Sequence, residues 1–170
     1  MSGLTLTEDC AAHADAIAAM VREAFAARYG SGDGEAALIA ALRRDGDVVA
    51  ELLALEDGRV VGHVMFSRLS VEPTGRALAA LAPVTARIGL QKRGIGGALI
   101  REGHRLCAAR GVAAIAVLGD PGYYSRFGYS QELARELESP YSGPHFQAHE
   151  LRPGALAGGP WKVRHARAFG

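Results

Sequence analysis

Three glycines fall within four residues, Gly94, Gly96 and Gly97, in the segment Gln91-Lys92-Arg93-Gly94-Ile95-Gly96-Gly97-Ala98. This segment opens the most regular amphipathic stretch of the chain. A helix start leaves main-chain N–H groups without helical partners at the positive end of the dipole, so it attracts anions. Glycine lets a phosphate approach closely because no Cβ intervenes. Lys92 and Arg93 add charge at the rim, and a pyrophosphate is the natural ligand of such a turn. Two other phosphate loops fit worse. A Walker A loop needs Gly-Lys-Ser/Thr, which is missing. A dinucleotide fingerprint needs a different third-glycine spacing and a place in the first strand-to-helix turn. A plain strand-to-helix turn with small packing residues is the rival reading.

A second cluster is aromatic: Tyr123, Tyr124, Phe127 and Tyr129, within Gly119–Tyr129. Side chains able to accept a proton are scattered. Glu72 ends a long strand, Glu35 opens a helix and Asp120 precedes the aromatic stretch; each reads more readily as a surface acid. His63, beside Gly62 in mid-strand, reads as a core or edge histidine, so the sequence does not name a base. His145 and His149 are spaced for a metal only on a helix, and here they flank a strand, so no metal is expected. Ser125 lacks a partnered His-Asp pattern, which disfavours acyl-enzyme chemistry.

The elements that must position these residues follow from periodicity. Leu4–Thr7 alternates as a short strand. Ile17, Met20, Val21 and Phe25 recur at helical spacing as far as Tyr29, and Leu38, Ile39 and Leu42 mark a second helix over Glu35–Arg44. Val48–Leu55 and Val60–Val71 form a hairpin through Asp57-Gly58. Pro73-Thr74-Gly75 turns the chain into a third strand within Arg76–Ala86. Gly94–Arg110 is a helix with Gly111 at its C-cap. Val112–Leu118, apolar throughout, reads as a strand buried on both faces, parallel to Ala80–Ala86 through a right-handed crossover. Two further strands are expected near 145–151 and 160–166, whose edges could pair two subunits into a dimer.

Composition narrows the function classes. The chain has 170 residues, 49% of them apolar, and a formal net charge of +1, which fits one folded domain and disfavours a strong nucleic-acid binder. The 22 glycines are about twice the usual share of ~7%, without a collagen period. Most read as turns; the Gly94–Gly97 cluster differs in kind. Cys10 and Cys107 make no disulfide framework and read as buried free thiols. No apolar run is long enough to span a membrane. A cytoplasmic location is the expectation.

Gln91-x-x-Gly94-x-Gly96 resembles the Q/R-x-x-G-x-G/A signature of the GNAT superfamily of N-acetyltransferases. Val117-Leu118-Gly119-Asp120-Pro121-Gly122-Tyr123-Tyr124-Ser125-Arg126-Phe127-Gly128-Tyr129 is similar to the aromatic element that follows the fifth strand in that family. It is closest to a bacterial subgroup with the pattern L-G-D-P-x-Y-Y-x-R-F-G-F. The resemblance extends from the first helices to the C-terminal strands. Three positions depart from it: Arg87-Ile88-Gly89 where the family usually has a proline, Tyr129 for the usual Phe, and Ser125 where the subgroup often has Pro.

The resemblance implies a single α+β (mixed α/β) domain. Its central sheet would be mostly antiparallel, of six to seven strands, with a splayed parallel pair and helices on both faces. It implies acetyl-CoA as donor, as a co-substrate, and a primary amine of a small molecule or peptide as acceptor. The diphosphate would lie on the N–H groups of Arg93, Gly94, Ile95, Gly96 and Gly97, flanked by Gln91, Lys92 and Ala98. The pantetheine arm would run beside Val84, Thr85 and Ala86, a main-chain N–H near Thr85–Ala86 would steady the oxyanion, and Tyr124 would protonate the departing thiolate. Tyr123 reads as a packing residue. The alternative reading is a CoA-binding module without turnover, serving as a sensor or partner subunit.

Overall fold

The computed structural model describes residues 3–72 and 75–170, so the expected turn at Pro73-Thr74-Gly75 lies outside the described residues at its first two positions. After β1 (Leu4–Thr7) and a 3-10 turn at Ala11–His13 come α1 (Ala14–Tyr29), α2 (Asp33–Arg44), β2 (Val48–Glu56), β3 (Arg59–Glu72) and β4 (Leu78–Ala86). Then follow α3 (Ile95–Ala109), β5 (Ala114–Leu118), α4 (Pro121–Tyr124) and α5 (Gln131–Ala134). The chain ends with β6 (Leu137–Glu138), β7 (Phe146–Glu150) and β8 (Trp161–His165).

The strands form one sheet of eight, against the six to seven expected, in the order β1-β2-β3-β4-β5-β7, with β8 pairing β3 and β6. The additional strand is β6, whose two residues are too few to carry a pattern. The β2-β3-β4 meander is antiparallel, and β4 and β5 are parallel as the α3 crossover requires. The long β3 changes partner: Arg59–Ser67 lies along β2, and Leu69–Glu72 takes β8 in the same lane.

Helices cover both faces. Ile95, Leu99 and Ile100 of α3 pack on Leu52, Val64, Phe66 and Leu81. On the other face Ile17, Met20 and Val21 of α1 and Ile39 and Leu42 of α2 pack on Leu53, Val60 and Met65. Each such side chain contributes about 1.5–3 kcal/mol when withdrawn from water. The close approach of α3 depends on two glycines that read as unremarkable in the sequence. A Cβ on Gly103 would stand 2.1 Å from the Phe66 ring, and one on Gly62 would stand 2.6 Å from Ile95. Two glycines expected only to break the chain, Gly32 and Gly159, also sit against backbone, with Arg22 O and Glu136 O each 2.4 Å from an added Cβ.

Cys10 and Cys107 are buried free thiols; Cys10 immediately precedes the first 3-10 turn. The outer edge of β7 is partly taken by Ser130, which exchanges two main-chain hydrogen bonds with Ala148. Among the described residues no helix is long and apolar enough to cross a membrane.

Candidate active site

The parallel pair stops short. β4 and β5 pair from Leu78↔Ala114 to Leu81↔Val117, yet β4 continues to Ala86. At the parting point β4 bulges: Val64 faces Val84 but Phe66 faces Leu81, so β4 spends one more residue than β3 across Ala82-Pro83. Beyond it Val84, Thr85 and Ala86 pair only with β3, on Val64, His63 and Gly62. Their other edge faces a wedge without a strand partner. A strand edge of this kind takes up an extended chain through its main-chain groups. Leu118 closes β5 at the mouth of the wedge and is 54% exposed.

The start of α3 stands beside that edge. Gly94 is the N-cap at φ 85°, a left-handed conformation costly for a residue with a Cβ, and no side chain caps the helix. The first helical bond runs from Ala98 N–H to Gly94 O, so the N–H groups of Ile95, Gly96 and Gly97 have no helical partner. The Ile95 side chain is in the core, which leaves its main-chain N–H as what it offers a ligand. Gln91 is exposed and folds back on its own loop, its Oε1 accepting from Gly89 N–H at 3.1 Å. Arg93 approaches Glu56 at 3.7 Å, while Lys92 has no ion pair among the described residues. Where the family usually has a proline, Arg87 binds the loop to β3, its main-chain N–H donating to Val61 O and its Nε to Val60 O, both at 2.8 Å.

The aromatic element forms the other wall. Asp120 caps α4 by accepting from Gly122 N–H at 2.9 Å, which gives this acid a structural task. The two motifs then meet. A Cβ on Gly96 would lie 3.0 Å from the Tyr123 hydroxyl and 3.9 Å from Val84, and one on Gly97 would lie 3.4 Å from the Phe127 ring. Gly96 and Gly97 thus admit the aromatic element against α3, and Tyr123, read from sequence as packing alone, directs its hydroxyl at the first turn of the helix. Tyr124 packs edge-on against Tyr123 and over Gly119. Burial pushes the Tyr124 hydroxyl well above the usual tyrosine range, with Tyr123 and Tyr29 adding to the effect, so it holds its proton. Tyr129 uses the oxygen that a Phe lacks: its hydroxyl lies 2.8 Å from His104 Nε2 on α3. Burial, with help from His149 and Arg101, pushes His104 down to about 4, so the ring is neutral.

The family likeness extends from the two motifs to whole chains. No family model matches this one. The uncharacterized N-acetyltransferase YhbS of Escherichia coli K12 is 34% identical over 148 residues, which covers 85% of this chain and 86% of that relative. The chain belongs to the GNAT family of N-acetyltransferases. A crystal structure of GNAT family YhbS from Escherichia coli in complex with CoA superposes with a TM-score of 0.88 at 31% identity, covering 98% of this chain and 91% of that one. A GNAT family acetyltransferase from Brucella melitensis in complex with acetyl-CoA gives 0.82 at 29% identity and covers 98% of each chain.

Within this GNAT domain, β4, the first turn of α3 and the aromatic element meet at Gly96, whose added Cβ would lie against both Val84 and Tyr123, and Tyr124 packs on Tyr123. Sequence reasoning overlooked three charged side chains. Arg101, four residues after Gly97, lies over the Phe127 ring at 5.0 Å, and Arg126 lies over Tyr123 at 4.9 Å. Both bring positive charge to the aromatic wall beside the α3 start. Glu51 on β2 is the third: it forms a two-pronged ion pair with Arg43 and accepts from His63 Nε2 at 3.0 Å. Its signal was a charge in phase with Leu53 on the buried side of an alternating strand.

The remaining acids and histidines lie elsewhere. Glu72 pairs with Arg164 at 3.1 Å, and Glu35 is in the first turn of α2. His149 sits against Gly128 O at 3.2 Å and stacks on His104. Among the described residues no group of three or more His, Cys, Asp or Glu is placed to hold a metal. Two open cavities, of about 470 and 520 Å³, involve the C-terminal strands, around Ser139 and His165 and around Gln131 and Phe146. Neither touches the wedge. In the first, Ser139 Oγ accepts from Tyr141 N–H and lies 2.9 Å from His165 Nε2, which clasps a turn.

Proposed function

We propose that this GNAT domain moves the acetyl group of acetyl-CoA to the nitrogen of a primary amine, with both substrates bound together. The observation that carries the reading is the coincidence, at one place, of an unpaired strand edge at Val84–Ala86, a helix start with free N–H groups at Ile95–Gly97, and a protonated Tyr124. These groups suit the three parts of the donor: an amide-bearing arm, a diphosphate and a thioester. Lys92, Arg93, Arg101 and Arg126 supply positive charge around the diphosphate position. Gln91 and Ala98 shape the loop and the first turn that present the N–H groups.

The chain's own groups then account for the chemistry. A main-chain N–H near Thr85–Ala86 donates to the carbonyl oxygen as it gains charge; a fixed donor of this kind is worth about 3 kcal/mol in the barrier. The amine lone pair forms the new N–C bond, the C–S bond breaks, and the electron pair leaves on sulfur. Tyr124 gives its hydroxyl proton to that sulfur, and the proton that the nitrogen sheds as the amide forms restores the Tyr124 hydroxyl. Tyr29 and Arg28 at the end of α1 are near enough to influence the Tyr124 hydroxyl, which makes the α1 end the natural wall for the acceptor.

The test is release of free thiol from acetyl-CoA across a panel of small and peptidic primary amines, with the N-acetylated product identified by mass. Amine-dependent thiol release supports transfer. Tight CoA binding with no release for any amine supports the alternative, a sensor or partner module.

A further inference from the structure

The transfer step needs the Tyr124 hydroxyl at the thioester sulfur, while the diphosphate lies on the first turn of α3. These groups belong to different elements, so one must be fixed against the other.

Gly97, Arg101 and His104 recur at i, i+4 and i+7 and so share one face of α3. That face meets the aromatic element along its length. A Cβ on Gly97 would lie 3.4 Å from the Phe127 ring, Arg101 lies over the same ring, and His104 Nε2 is 2.8 Å from the Tyr129 hydroxyl. Among the described residues, this last contact is the one side-chain hydrogen bond between α3 and the aromatic element. Tyr129 is 2% exposed, and burial holds its hydroxyl well above the usual tyrosine range, so it keeps its proton and needs an acceptor. The neutral His104 supplies one, and the hydroxyl donates to the Nε2 lone pair.

His104 is itself held in place. Its ring stacks on His149 at 4.9 Å and meets the Phe66 ring edge-on at 6.3 Å. His149 Nδ1–H donates to Gly128 O at 3.2 Å, which returns the chain of contacts to the residue before Tyr129. The circuit of Tyr129, His104, His149 and Gly128 therefore joins the aromatic element, α3 and β7. Tyr124 is seated on it. Its ring stands edge-on to Tyr129 with centroids 5.8 Å apart, and its carbonyl accepts from Tyr129 N–H at 3.4 Å. On another side of the ring is Gly119, whose added Cβ would lie 2.6 Å from it. Phe at position 129, usual in the family, fills the same space and lacks only the bond.

We infer that Tyr129 and His104 are positioning residues for the proton donor, their hydrogen bond setting the Tyr124 hydroxyl in register with the start of α3. The inference rests on the acetyl-transfer reading above. Both residues act through the seat of Tyr124.

The experiment is a double-mutant cycle in steady-state acetyl transfer to the best amine of the panel, with wild type, Tyr129→Phe, Tyr124→Phe and the double variant. His104→Leu is a second probe of the same bond, and melting temperature and acetyl-CoA affinity serve as folding controls. Tyr129→Phe should lower kcat about fivefold through misplacement of the donor, with acetyl-CoA KM at the wild-type value. In the Tyr124→Phe background the same substitution should change kcat by less than about twofold, because the hydroxyl it positions is gone. His104→Leu should match Tyr129→Phe; should it fail to fold, the tyrosine cycle decides alone. A wild-type kcat in Tyr129→Phe, or an equal loss in both backgrounds, overturns the positioning role and leaves acetyl transfer standing. A wild-type kcat in Tyr124→Phe overturns the positioning role together with the tyrosine acid. No turnover by the wild type with any amine overturns the acetyl-transfer reading as well.

Discussion

Leu81 is the last residue of β4 to pair with β5, opposite Val117, and the bulge at Ala82-Pro83 begins at once beyond it. The wedge is therefore built into the register of the sheet. β4 cannot remain flat against both neighbours with one residue more than β3 requires, and the strand departs from β5 where the extra residue is inserted.

Tyr124→Phe should lower kcat by about tenfold or more with little change in acetyl-CoA KM, because only the proton donor is removed. Since burial raises this hydroxyl above its ordinary value, wild-type kcat should not fall through loss of the acid anywhere below the ordinary tyrosine range near pH 10. Steady-state kinetics between pH 6 and about 10 check both statements.

Gly96→Ala should weaken acetyl-CoA binding by displacing the Tyr123 hydroxyl, 3.0 Å from the new methyl. Tyr123→Phe removes the obstructing oxygen, so the double variant should recover part of the loss. Calorimetric affinities in a double-mutant cycle should show a coupling of about 0.5 kcal/mol or more.

Glu51→Gln should destabilise the protein by about 1–3 kcal/mol at pH 7, because the bonds from His63 and Arg43 lose their charged acceptor. Burial alone raises the carboxyl, but those two hydrogen bonds outweigh it and bring it down to about 2 from an ordinary 4.5. The wild-type advantage should therefore be complete above pH 4.5 and disappear as pH falls toward 2. Urea unfolding of both proteins across that window measures it.

Gly103→Ala serves as a structural control. Its methyl would stand 2.1 Å from the Phe66 ring, so α3 must lift from the sheet, costing about 1–3 kcal/mol. The cost should appear in melting temperature, with kcat changed far less than by Tyr124→Phe.

The parts legible in the sequence are those whose signal is local. Gln91–Ala98 and Tyr123–Tyr129 each carry their residue types within one turn, and the helical and alternating periods located α1–α3, β2–β5, β7 and β8 to within a few residues. What escaped depends on pairing across the sheet. Glu51 and His63 are twelve residues apart and become neighbours only through the β2–β3 register. The Ala82-Pro83 bulge, the exchange of β2 for β8 along β3, and the seat of Tyr123 against Gly96 are likewise relations between strands or between a loop and a helix. β6 and α5 are too short for any period to show. Glycine also has a use that the sequence did not indicate: Gly62 and Gly103 admit a helix, and Gly96 and Gly97 receive an aromatic wall.

The most direct test is the structure of the complex with acetyl-CoA. It should show the pantetheine arm alongside Val84–Ala86, the diphosphate on the N–H groups of Ile95–Gly97, and the sulfur within hydrogen-bonding reach of the Tyr124 hydroxyl. Acetyl-CoA bound away from the wedge, or a thioester remote from Tyr124, would contradict the account.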